Sequence, residues 1–129
     1  MDRVEKRLML LFSMRKEAID KALESFHLTY SDYQVLRVLH YLDGVSLEYL
    51  EHETHYDTYV IEHIIHRLKE THFIEIKHNQ IYLTEQIKKI YPQVMRTIQG
   101  EDDKLMKQLS KEEHNEMVEI LDKLIEYYE

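Results

Sequence analysis

Within residues 46–84, SLEYLEHETHYDTYVIEHIIHRLKETHFIEIKHNQIYLT, the apolar period changes from that of a helix to that of a strand, and this change restricts the fold more than any other stretch of the chain. Ser46 has an N-cap side chain ahead of Leu47 and Leu50, so a short helix is expected to about residue 53. Asp57 can cap another, whose inward stripe is Val60, Ile61, Ile64, Ile65 and Leu68. Residues 73–77 and 80–83 are rich in β-branched and aromatic side chains around His78 and Asn79, and Asn tolerates the positive φ of a two-residue hairpin turn. The segment reads as helix, turn, second helix and a very short β-hairpin.

Helices flank it on both sides. Val4, Leu8, Leu11, Phe12, Ile19, Ala22, Leu23 and Phe26 recur at three- and four-residue spacing and predict a long amphipathic helix over residues 2–26. Ser31 and Gln34 have the S-x-x-Q form of a capping box for a second helix, with the stripe Val35, Leu36, Leu39 and Leu42, ending at Asp43 and Gly44. Thr84 caps a fifth, striped by Ile87, Ile90, Tyr91, Val94, Ile98, Leu105 and Leu109; Pro92 predicts a bend there and Gly100 a second weak point. Ser110 and Glu113 box the start of a terminal helix that carries Met117, Val118, Leu121, Leu124, Ile125 and Tyr128.

Two Gly and one Pro in 129 residues leave room for tight connections only, which argues against a sandwich, a barrel or a disordered linker. A single, mainly α domain over residues 1–129 follows, with a core unit at 31–84 between helical arms at 1–30 and 85–129. The arms carry whole apolar stripes that so small a core cannot cover. Leu8, Leu11, Phe12, Met117, Leu121, Leu124 and Tyr128 are therefore assigned to a homodimer interface.

The chain has a net charge of −8 and no Cys, and no apolar run approaches the ~18 residues of a membrane span. A soluble, cytoplasmic protein with no membrane association is expected. The serines are accounted for by caps and helix surfaces, and there is neither a Gly-rich phosphate loop nor a nucleophile elbow, so no catalytic residue, cofactor or enzyme activity is assigned. Six of the nine histidines, His52, His55, His63, His66, His72 and His78, fall within residues 46–83. Two pairs at i, i+3 spacing stand near carboxylates, but without Cys or four converging ligands no metal is assigned. A solvated histidine face is one reading; the other is a face that gains positive charge on acidification.

On this order of elements the chain resembles the MarR family of small winged-helix transcription regulators, including its SarA-type branch, over nearly its whole length. The resemblance rests on LTYSDYQVLRVL at residues 28–39 and on Leu50 followed eighteen residues later by Leu68. It includes Phe73-Ile74-Glu75 entering the wing, Leu83-Thr84-Glu85 leaving it, and the terminal cap at residues 109–113. It implies a winged helix-turn-helix with a short β-hairpin wing and long dimerisation helices, binding a palindromic site on double-stranded DNA as a homodimer. Residues 57–71 would be the recognition helix. The residues implied to touch DNA are Thr58, Tyr59, His63, His66, Arg67 and Lys69, with Lys77, His78 and Asn79 at the wing tip. A small-molecule ligand would sit between the dimerisation helices and the winged core.

The chain departs from the family pattern in several places. Glu62 stands on the outer face of the recognition helix, the wing lacks its Asp-x-Arg pair, His72 replaces a usual Gly and Glu51 a usual small residue. Residues 46–84 carry three fixed cations against seven carboxylates, a net of −4 with histidine neutral. Phosphate recognition requires the opposite sign. The alternative reading is a winged-helix protein that has lost DNA binding and uses its acidic face to bind another protein, such as a basic regulator.

Overall fold

The computed structural model describes residues 2–129, and most of its helices begin where a side-chain oxygen closes the first turn. Asp2 caps α1 (Arg3–Ala22), which a 3₁₀ turn at Glu24–Phe26 follows. Thr29 caps α2 (Tyr30–Tyr41), Ser46 caps α3 (Leu47–Thr54) and Asp57 caps α4 (Thr58–Glu70). Strands β1 (Ile74–Lys77) and β2 (Gln80–Leu83) precede α5 (Glu85–Met106), capped by Thr84, and α6 (Lys111–Tyr128), which has the Ser110–Glu113 capping box. Among the described residues, no helix is long and apolar enough to cross a membrane.

The cap of α2 corrects the expectation at Ser31. Thr29 Oγ1 accepts from the Asp32 amide at 3.2 Å while Asp32 Oδ2 accepts from the Thr29 amide at 2.8 Å, so the box is T-x-x-D and lies two residues earlier. A contact from outside the helix fixes that choice: Asp20 of α1 accepts from the Tyr30 amide at 2.7 Å and satisfies a further first-turn donor. Ser31 then sits inside the helix. At the other end of the chain, α5 runs unbroken through Pro92 and Gly100. Its buried stripe, Ile87, Tyr91, Val94 and Ile98, spans the proline, so packing holds the helix together where one backbone bond is missing.

One hydrophobic cluster extends from Ile19 to Ile98 and takes residues from α1 to α5 and both strands. The antiparallel hairpin pairs Ile74 with Leu83 and Ile76 with Ile81, and His78 and Asn79 supply the two left-handed residues of its turn, at φ 51° and 62°. Val45 bonds Ile81 in both directions, at 3.2 and 2.8 Å, which ties the hairpin to the α2–α3 connection. Gly44 makes that turn at φ 93°, and a Cβ there would come within 2.7 Å of the Tyr82 ring. Only glycine satisfies both constraints.

Tyr91 lies between His40, stacked at 4.2 Å, and Tyr33, stacked at 6.3 Å, and its buried hydroxyl has no hydrogen-bond partner among the described residues. Burial pushes the phenols of Tyr91 and Tyr33 up from their ordinary value. Above about pH 10 the unfolded chain therefore releases protons that the folded chain keeps, and stability falls as pH rises through that window. Tyr91→Phe removes the orphan hydroxyl. It is expected to be neutral or up to about 1 kcal/mol stabilising at pH 7 and to reduce the alkaline loss, as read from urea melts at pH 7 and in the alkaline range.

Candidate nucleic-acid interface

The outer face of α4 follows from its inner one. Ile61, Ile64, Ile65 and Leu68 are buried, which turns Thr58, Tyr59, Glu62, His63 and His66 outward to the exposed face. Tyr59 is 79% exposed, a large aromatic side chain held on the surface with no packing duty. Lys69 is exposed near the end of the same helix, and Lys77, His78 and Asn79 are exposed at the wing tip.

Arg67 is placed differently. It is half-buried, and its guanidinium bonds Asp32 of α2, itself 3% exposed, and reaches Thr29 Oγ1 at 3.4 Å. The expectation that Arg67 is a free reading residue is thus revised to a cross-helix tie. Lys77 pairs with Glu75 at 3.3 Å and His66 with Glu70 at 3.1 Å. Among the described residues, Lys69 is the one fixed cation of 46–84 that makes no ion pair. The sequence places Asp32 and Arg67 thirty-five positions apart and offers no local sign of their meeting. The available hint was Asp at the third residue of a Thr-capped helix, a position whose carboxylate turns back toward the helix start.

Three of the six clustered histidines have a backbone explanation. His55 ends α3 at φ 60°, His72 follows α4 at φ 64° and His78 opens the wing turn at φ 51°; His27, outside the cluster, does the same at φ 59°. Histidine is enriched with Asn and Asp in the left-handed region, where this glycine-poor chain needs residues. That leaves His52, His63 and His66 on exposed helical surface.

The helical arms expose what the core leaves over. Neither α6 nor the first sixteen residues of α1 contributes a buried residue, and Phe12, Leu124 and Tyr128 are 63, 55 and 88% exposed. Leu8, Leu11 and Leu121 are exposed as well, with Met117 half-buried. Two hollows are of a size to note, one between an arm and the core unit and one between the two arms. One of about 740 Å³ lies between the end of α2, the base of the wing and the start of α5, with His40, Tyr41, Tyr82 and Lys88 on its walls. Another of about 360 Å³ lies between α1 and α5 and is walled by Leu11, Met14, Ala18 and Leu105.

This arrangement of a three-helix core, hairpin wing and two long outer helices is the MarR-type winged-helix fold. A MarR transcriptional regulator from Methanosarcina mazei Go1 superposes with a TM-score of 0.86 at 19% identity, over 96% of this chain and 93% of the other. The Mycobacterium tuberculosis MarR family protein Rv2887, in complex with DNA, gives 0.80 at 16% identity over 96% and 98%. Bordetella bronchiseptica BpsR, whose DNA binding is regulated by 6-hydroxynicotinic acid, gives 0.85 at 18% identity over 95% and 94%. No protein-family model and no curated protein sequence matches the chain.

Proposed function

We propose that the protein is a cytoplasmic, homodimeric DNA-binding transcription regulator that reads a palindromic site through its two α4 helices. The observation that carries this reading is the outer face of α4, where Thr58, Tyr59, His63, His66 and Lys69 are exposed without packing roles, on a fold shared with a protein solved on DNA. The unpartnered faces of α1 and α6 support the dimer. The start of α1 carries Arg3, Lys6 and Arg7 against Glu5, whereas α6 carries six carboxylates against two lysines, so contact of α1 with α6 across a two-fold axis is favoured by charge as well as by apolar burial. A small-molecule effector is proposed for the hollow between the core unit and the start of α5, by analogy with BpsR.

A gel-shift titration on the gene's own upstream region tests this. Because most fixed cations of the reading unit are internally paired, specific binding is expected with a shallow salt dependence, a slope of log K on log salt on the order of −2 to −4. A second reading has its own observation: with Arg67 held by Asp32 and Lys77 by Glu75, the reading unit offers little to phosphate, as a winged-helix protein that binds a basic partner protein would. Absence of any shift at about 50 mM salt would favour that reading.

A further inference from the structure

The first turn of α2 is held by contacts from two helices, α1 and α4. From α1, Asp20 accepts from the Tyr30 amide at 2.7 Å and is itself paired with Lys16 at 2.8 Å. Arg15 of α1 lies over the Tyr30 ring at 5.1 Å and makes a bidentate pair with Asp102 of α5, at 2.9 and 3.1 Å. Toward α4, Asp32 holds Arg67. Two of these links come from α1 and one from α4, all to the same four residues, 29–32, and α5 is joined to them through Arg15.

We propose that this turn is the joint through which the dimerisation helices set the position of α4, with Asp32 as the positioning residue and Arg15–Asp102 as the anchor on the far side. The proposal rests on the reading of α4 as the DNA-binding helix. Three features make the joint effective. Bidentate and charge-assisted bonds fix direction as well as distance, so a shift of α1 against α5 moves Tyr30. The buried carboxylate of Asp32 also closes the capping box, so it cannot follow Arg67 without opening the turn. Open hollows of about 370 and 300 Å³ adjoin Arg67, so its side chain is not enclosed and can follow a shift of Asp32.

The full-length protein tests this by amide hydrogen exchange of α4, residues 58–70, with the buried stretch of α5, residues 87–98, as internal reference. Arg15→Gln, at a side chain that bonds Asp102 and lies over Tyr30 and is outside the proposed reading residues, is expected to speed exchange in α4 about tenfold while the α5 reference is unchanged. Asp32→Asn should do the same, and the double variant should add little to the larger single effect, since both act on one path. Binding to the upstream DNA should fall about tenfold in each single variant, with the dimer mass unchanged. Uniform acceleration of all segments, or an Arg15→Gln effect confined to α1 and α5, would overturn the joint. If the wild type binds no DNA, the function proposed above fails, and the exchange measurements still decide the joint by themselves.

Discussion

The double variant Leu121→Glu/Leu124→Glu is expected to have the 15.8 kDa mass of one chain in light scattering at micromolar concentration, where the wild type is expected to have twice that mass. Both leucines are exposed, at 43% and 55%, on a helix with no fully buried residue, so carboxylates there cost a monomer almost nothing. In a two-fold interface the same change buries four charges among apolar groups. At several kcal/mol for each unpaired buried charge, and about 1.4 kcal/mol per factor of ten in Kd, association weakens far beyond the micromolar range. Binding to a palindromic site should be lost with it. A wild-type mass of one chain would remove the dimer and the paired-helix mode of reading DNA together.

The second large effect separates the two faces of α4. Ile64→Ala is expected to cost roughly 2 to 5 kcal/mol in urea melts, because Ile64 is 2% exposed within the continuous core and the cavity left behind cannot fully collapse. Tyr59→Ala, on the opposite face, should leave stability within about 0.5 kcal/mol and weaken specific DNA binding. Arg67→Ala belongs to neither class. It strands the buried Asp32 carboxylate and is expected to cost about 2 kcal/mol, below the range for fully buried pairs because the Arg67 side chain is 39% exposed. Equal destabilisation by Tyr59→Ala and Ile64→Ala would show that the faces had been assigned the wrong way round.

Element order was legible from short-range signals. The caps at Ser46, Asp57, Thr84 and Ser110 and the hairpin turn at His78 and Asn79 are each contained within four or five residues, and the structure has them where the pattern predicts. The start of α2 was harder, because Thr29-x-x-Asp32 and Ser31-x-x-Gln34 both satisfy the capping pattern. The carboxylate of Asp20, ten positions from the amide it accepts, made the choice. Histidine clustering was visible as composition, but for His55, His72 and His78 its cause lay in backbone angles that composition does not encode.

The candidate site divides in the same way. Periodicity alone placed Tyr59, Glu62, His63 and His66 outside and Ile61, Ile64 and Leu68 inside, since a helix with one apolar stripe has one way to face a core. It could not place Arg67. That side chain lies at the boundary between the faces, where a long, flexible group turns toward whichever partner is nearest, and the partner is Asp32, brought there by the packing of α2 on α4. Local patterning decided which residues form helices and which face of each is apolar, because caps and apolar stripes act over one to three turns. Packing between distant segments decided which charges remain available to a ligand, because an ion pair depends on where two side chains meet in space.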